Sequence, residues 1–98
     1  MTISKILNEK ELALAIEGRI DTTTAPELEN ELKTCLDGVE NLILDLAGLE
    51  YISSAGLRVV LTAQKTMSKQ GNMIIKNVNE SVMEVFDITG MVDLLTIE

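Results

Sequence analysis

Histidine and tryptophan are absent from this chain of 98 residues, which contains one cysteine, one proline, one tyrosine and one phenylalanine. Without an imidazole, the chain cannot build the Ser-His-Asp or Cys-His arrangements of nucleophilic catalysis, and the usual zinc ligand sets of small domains are missing too. Two aromatic side chains are also too few for a platform on which nucleic-acid bases stack. We therefore expect a non-enzymatic protein without a metal or a cofactor.

Basic residues are scarce as well. Eight Lys and Arg against sixteen Asp and Glu give a formal net charge of -8, and the charges are scattered along the chain instead of forming an acidic tail. Binding to DNA or RNA needs a basic footprint, so this balance argues against a nucleic-acid partner. It fits a solubilising surface, or a protein partner with a positive surface.

Long apolar runs are also missing. No segment approaches the roughly 18 residues of a membrane span, and residues 1–10 lack the basic-then-apolar layout of a signal peptide. We expect a cytoplasmic protein with no membrane partner. Hydrophobic residues make up 46% of the chain, which is enough for one compact domain over residues 1–98.

Periodicity predicts the elements of the first half of the chain. Alternating apolar residues indicate strands at residues 3–7 and 11–17, joined as a hairpin by a polar turn. An apolar stripe that includes Cys35 predicts a helix, and we expect this cysteine to be a small hydrophobic side chain of the core. Thr24 is placed to cap that helix, with Glu27 completing a capping box.

The second half of the chain predicts two parallel strands joined by a crossover helix. Residues 41–46 are almost all apolar, which is typical of a central strand covered on both faces, and a short loop follows. A long amphipathic helix over residues 53–70, a strand at 73–75 and a short helix from about Asn79 come next. We predict an α/β domain, in which a mixed sheet of four to five strands carries three to four helices mainly on one face.

Two adjacent serines, Ser53 and Ser54, stand where the strand-to-helix turn begins the long helix. Free N–H groups and the positive end of the helix dipole favour negative charge there, so a phosphate would be tolerated locally. Serine is also a favoured helix cap, but one cap is enough. Gly56, in the first turn, costs about 1 kcal/mol relative to Ala unless a bare backbone is needed, for example by an approaching partner. The combination predicts an exposed docking edge.

A different kind of site remains conceivable. Asp21, Asp45 and Glu50 are the carboxylates through which the chain could hold magnesium, bind a nucleotide or act as a small enzyme. Isolated acidic residues are more often caps or turn residues, and no glycine-rich phosphate loop is present.

Four segments together resemble the anti-sigma factor antagonists, which are stand-alone bacterial STAS domains. These segments are Glu17-Gly18-Arg19-Ile20-Asp21, Ile43-Leu44-Asp45-Leu46, Tyr51-Ile52-Ser53-Ser54-Ala55-Gly56-Leu57-Arg58-Val59 and Val85-Phe86-Asp87-Ile88-Thr89-Gly90-Met91. Each motif alone is weak evidence for the family, but their order and spacing together are strong evidence. The resemblance covers essentially the whole chain.

The resemblance implies partner switching. In that family the unphosphorylated antagonist binds an anti-sigma factor that is also a serine kinase, which frees the sigma factor for transcription. Phosphorylation of the antagonist by the kinase releases it, and a PP2C-type phosphatase resets it. The matching acceptor here is Ser54, with Ser53 as an alternative acceptor. We expect a monomer or a weak dimer whose partner-binding residues are Asp21, Thr22, Ser53, Ser54, Ala55, Gly56 and Arg58.

The turn departs from the family pattern at two positions. Well-known members carry Asp immediately before the acceptor and Ser or Thr after it, where this chain has Ser53 and Ala55. The departure keeps a second hypothesis open, in which the domain is a constitutive STAS scaffold in a transporter or a sensory complex and is not phosphorylated.

Overall fold

The structure is a computed structural model that describes residues 1–98. Its elements in chain order are β1 (Thr2–Asn8), β2 (Glu11–Ile20), α1 (Ala25–Cys35), β3 (Asn41–Asp45), β4 (Leu49–Ile52), α2 (Ser54–Gln70), β5 (Asn72–Lys76), α3 (Glu80–Ile88) and a final 3-10 turn (Met91–Asp93). None of the helices is long and apolar enough to cross a membrane.

The five strands form one mixed sheet in the order β1-β2-β3-β5, with β4 paired to the far end of β2. β1 and β2 form the predicted antiparallel hairpin. The pairs β2-β3, β3-β5 and β2-β4 are all parallel. The predicted mixed sheet with three helices is therefore confirmed, and the apolar C-terminal segment adds a single parallel bridge between Ile97 and Ile75.

Only one face of the sheet is fully buried. Along β2, Leu12, Leu14 and Ile16 are no more than 2% exposed, and they join the helices in one core of 25 residues. Ala13 and Ala15, between them on the other face, are half-buried. Cys35 packs against the edge of the same core, as expected, and burial raises the pKa of its thiol.

The prediction that β3 is covered on both faces is wrong. Leu42 and Leu44 are 1% exposed beneath the helices, but Ile43 on the opposite face is only half-buried. Ile43 pairs with Ala13 on one side and with Ile74 on the other. These flanking side chains shield it within the sheet surface, so its apolar character did not require a second helical layer.

The predicted loop between β3 and α2 contains a strand. β4 has only four residues, and both of its ends are buried while its middle is exposed, so it lacks the alternation that identifies a strand. Its pairing is specified by the end of β2, where Gly18 has a φ of +95° and donates its N–H to Gly48 O at 2.9 Å. The register then shifts before Arg19, which makes a bulge.

The start of α2 packs closely on the ends of β2 and β4. A Cβ atom built on Gly56 would lie 2.6 Å from Ile20 Cγ2 and 2.8 Å from Ile52 Cγ1. Gly56 is buried, so the interpretation that its bare backbone belongs to an exposed docking edge is wrong. The glycine is required because the helix approaches these two isoleucines, and this contact fixes where the helix begins.

Gly56→Ala is expected to destabilise the fold by about 1–2 kcal/mol, since overpacking outweighs the helix propensity that alanine adds. Thermal unfolding should show a melting temperature lower by about 5 °C or more. Gly48→Ala is the comparison: its new methyl group would lie 2.7 Å from Glu17 Cγ, but this exposed side chain can rotate away, so a smaller loss of stability is expected than against the buried isoleucines. Equal melting temperatures for the two variants would contradict this account of Gly56.

Candidate functional site

The ends of two parallel strands bring the predicted site residues together. Ile20, the last residue of β2, pairs with Ile52, the last residue of β4. The Ser53 N–H then donates to Ile20 O at 2.8 Å. Asp21 and Ser53 therefore follow the same edge of the sheet side by side, and α2 begins directly after Ser53.

The two serines of the turn have different structural roles. Ser53 is the N-cap of α2, with extended backbone at φ -91° and ψ 174°, and its Oγ accepts the Gly56 N–H at 3.2 Å. Ser54 is the first residue of the helix and is exposed. Its hydroxyl makes no hydrogen bond within the chain. The cap thus occupies Ser53 and leaves the Ser54 hydroxyl facing solvent.

The N-terminus of α2 has no negative charge of its own. The first turns of α1 and α3 carry Glu27 and Glu80, whereas the first turn of α2 contains no acidic residue. Of the amide groups that begin α2, those of Gly56 and Leu57 both donate to Ser53. The dipole at this end is therefore uncompensated, which favours an anionic group beside Ser54.

Asp21 organises the loop before α1. Its Oδ1 accepts the N–H groups of Thr23 at 2.9 Å and Thr24 at 3.0 Å, and the Thr23 hydroxyl at 2.6 Å. The bond from the Thr23 hydroxyl, followed by the two backbone bonds, lowers the pKa of this carboxyl to about 2. Asp21 is therefore ionised over the whole physiological range.

The predicted capping box of Thr24 and Glu27 is wrong. Thr24 has helical backbone angles, and its side chain makes no capping bond to α1. Its hydroxyl instead accepts the Asp21 N–H at 2.8 Å and donates to Arg19 O at 2.9 Å. The Thr24 hydroxyl is thus used within the preceding loop, and the Glu27 N–H that a Thr24 cap would bind donates to the backbone oxygen of Thr24 at 3.0 Å.

A shallow groove of about 200 Å³ joins the remaining predicted residues between α1 and α2. Thr22, Ala55 and Arg58 line it together with Pro26 and Glu29. Thr22 and Arg58 are exposed, and Ala55 is half-buried. Six of the seven predicted residues therefore lie at or beside one surface, and Gly56 lies beneath it in the core.

Sequence reasoning missed one contact at this edge. The guanidinium of Arg19 lies 4.4 Å from the ring centre of Tyr51, which is 40% exposed. The two residues pair across β2 and β4. Both stand inside the motifs that carry the family resemblance, but their contact depends on the pairing of β4, which the sequence pattern does not reveal.

The carboxylates considered for a metal or nucleotide site do not converge. Asp45 Oδ1 accepts the Ala47 N–H at 3.0 Å and the side-chain amide of Asn77 at 2.9 Å, and the bond from Asn77 is the main cause of its lowered pKa. No three His, Cys, Asp or Glu side chains are grouped in the structure so as to hold a metal ion. Asp21 and Asp45 are each explained by the turn that they stabilise.

A family model described as the STAS domain matches residues 3–98. The chain belongs to the STAS domain family, and the resemblance to anti-sigma factor antagonists is confirmed. It is 36% identical to the proposed anti-sigma factor antagonist BtrV of Bordetella bronchiseptica, covering 99% of this chain and 84% of that protein. It is 33% identical to the anti-sigma-B factor antagonist of Bacillus subtilis, covering 92% of this chain and 84% of the relative.

The same fold occurs in the crystal structure of an anti-sigma factor antagonist from Mycobacterium paratuberculosis. That structure superposes with a TM-score of 0.87 and covers 98% of this chain and 83% of its own chain, at 21% identity. The names of the relatives describe regulatory proteins that act on anti-sigma factors.

Asp21→Asn is expected to lower the melting temperature at pH 7, because the loop before α1 loses its charged acceptor. The native pKa of about 2 lies below the ordinary value of 3.8, so the carboxylate stabilises the fold above pH 3.8 and loses this effect as the pH falls towards 2. The difference from wild type, measured by thermal unfolding between pH 7 and 2, should therefore shrink across that window. Asp37→Asn, at an exposed carboxylate without a hydrogen bond, is the control. A difference independent of pH would contradict the assignment.

Proposed function

We propose that this protein is an anti-sigma factor antagonist that works by partner switching. The unphosphorylated form binds an anti-sigma factor that is a serine kinase, and the sigma factor is thereby freed. Phosphorylation of Ser54 releases the antagonist, and a PP2C-type phosphatase restores it. The protein itself is a binding module and carries out no catalysis.

The observation that carries this proposal is that the two serines have different structural roles. Ser53 uses its Oγ to cap α2, so this oxygen already has a structural role as the acceptor of the Gly56 N–H. The hydroxyl of Ser54 is exposed and is not used by the fold. Membership of a family whose named relatives are antagonists supplies the partner class. Ser54 is therefore the proposed acceptor, in preference to Ser53.

The proposed docking surface consists of the exposed groups around this serine. It contains the exposed side chains of Thr22 and Arg58, with the half-buried Asp21, Ser53 and Ala55 at its inner margin. Gly56 acts indirectly, because its contact with the isoleucines sets the position of the turn. The net charge of -8 favours long-range attraction to a kinase of opposite charge, but the partner surface in contact with Ser54 itself is expected to be apolar or acidic, so that a phosphate opposes binding.

A phosphate on Ser54 would act on binding rather than on folding. It adds about 1.5 to 2 negative charges at pH 7, at a helix end that tolerates them. In a close interface the same group must lose its bound water or face an apolar or negatively charged partner surface. Either effect costs several kcal/mol of binding free energy. The domain would keep its structure while its affinity for the kinase falls.

Incubation with the cognate anti-sigma factor kinase and ATP is expected to add one phosphate, which peptide mapping by mass spectrometry should place on Ser54. Ser54→Ala should abolish the labelling, and Ser53→Ala should retain it. Labelling that survives in Ser54→Ala and disappears in Ser53→Ala would transfer the acceptor role to Ser53.

The scaffold hypothesis gives a different result in the same assay. A constitutive subunit would acquire no phosphate on either serine and would copurify with a transporter or sensory component instead of a serine kinase. That pair of results would overturn partner switching while leaving the STAS fold in place.

Ser54→Asp is expected to weaken kinase binding about tenfold or more, measured by calorimetry, while the melting temperature stays the same or rises slightly. The rise follows because the first turn of α2 gains the acidic residue that it lacks. Ser81→Asp makes the same charge change at an exposed serine in the first turn of α3, so it should leave kinase binding unchanged. Equal loss of affinity in both variants would show a general charge effect instead of a switch at Ser54.

A further inference from the structure

The first two turns of α2 place a single cation above Ser54. Arg58 follows Ser54 by four residues, so the two side chains lie on the same face with their Cβ atoms about 6 Å apart. Helical side chains lean towards the N-terminus, which carries a long side chain at position 58 back over the turn that contains Ser54. Both residues are exposed. The guanidinium can therefore reach a group attached to the Ser54 hydroxyl.

Arg58 has no competing partner in the structure. None of the four ion pairs includes it, and its side chain makes no hydrogen bond. Glu29 lines the same groove, but its Oε1 lies 3.2 Å from Lys33 Nζ on its own helix. Arg19, the other arginine at this end of the sheet, stacks on Tyr51. Arg58 is thus the cation that is free to pair with a new anion.

We propose that Arg58 is the internal partner of a phosphate on Ser54, with its guanidinium bound to the phosphate oxygens across one turn of α2. This inference rests on the proposed function, since it requires Ser54 to carry a phosphate. A guanidinium donates parallel N–H groups in a fixed fork that matches two phosphate oxygens. The N–H groups of the first turn of α2 that do not donate to Ser53 can bind the same phosphate.

The pairing adds a second component to the switch. In the unphosphorylated protein Arg58 is an exposed cation of the docking surface, available to a carboxylate of the partner. In the phosphorylated protein its donors are occupied by the phosphate. Phosphorylation therefore removes a positive contact from the surface at the same time as it adds negative charge. Two carboxylates at this surface, Glu29 and Asp21, already have partners of their own in Lys33 and the N–H groups of the loop before α1.

The test uses protein in which phosphoserine is incorporated at position 54 during translation, so no kinase is needed. Titration followed by ³¹P NMR gives the second pKa of the phosphate. A nearby cation favours the dianion, so Arg58→Gln is expected to raise this pKa by about 0.3 unit or more. Lys65→Gln is the matched control, because it removes one exposed cation from the same helix at about 16 Å along the axis from Ser54, beyond the screening length.

The expected result is a raised phosphate pKa in Arg58→Gln, a smaller rise in Arg58→Lys and no change in Lys65→Gln. The same pKa in all four proteins would overturn the proposal, as would an equal rise in Arg58→Gln and Lys65→Gln. Melting temperatures of the unphosphorylated variants should agree with wild type, which separates the pairing from any effect on folding. Failure of the kinase assay would overturn the proposed function, whereas failure of this titration would overturn only the role of Arg58.

Discussion

The contact of Gly56 with Ile20 and Ile52 is the constraint on which the site depends. It brings the first turn of α2 against the paired ends of β2 and β4, closer than any side chain at position 56 would allow. The Ser53 N–H completes the arrangement through its bond to Ile20 O. Because these contacts are buried, the Ser54 hydroxyl stands on the packed start of a helix and not on a mobile loop. A chemical change at Ser54 can therefore alter the surface without loosening the core.

The polar and charged groups at this edge divide into those that the fold uses and those that have no partner within the chain. Asp21 holds its loop through one carboxylate oxygen, and Arg19 is held against the ring of Tyr51. The hydroxyl of Ser54 and the guanidinium of Arg58 have no internal partners. A switch needs groups of this second kind, since the modification of a group that already stabilises the structure would be transmitted to folding as well as to binding.

Elements whose burial pattern is local could be predicted from the sequence. The alternation of Leu12, Leu14 and Ile16 indicated β2 and its buried face, and the apolar stripe of α2 indicated its extent. β4 could not be found, because four residues that are exposed in the middle show no period, and their pairing partner lies about thirty residues away along the chain. The same non-local contact explains Gly56, whose neighbours Ile20 and Ile52 are adjacent only after β2 and β4 have paired.

Choices between nearby polar groups were equally hard to predict. The sequence signature favours Thr24 as the cap of α1, but its hydroxyl is bonded within the preceding loop, to the Asp21 N–H and to Arg19 O. At the serine pair the family resemblance indicated Ser54, and the geometry supplies a physical reason, since the cap falls on Ser53.

The packing of Arg19 on Tyr51 has a practical consequence for observing this protein. Tyr51 is the sole tyrosine of a chain without tryptophan, and it lies two residues before Ser53. Its ring, 40% exposed and covered by one guanidinium, is therefore the only strong intrinsic fluorophore and stands at the edge of the proposed docking surface. Binding events at this edge can be followed through its emission in unlabelled protein, with no background from elsewhere in the chain.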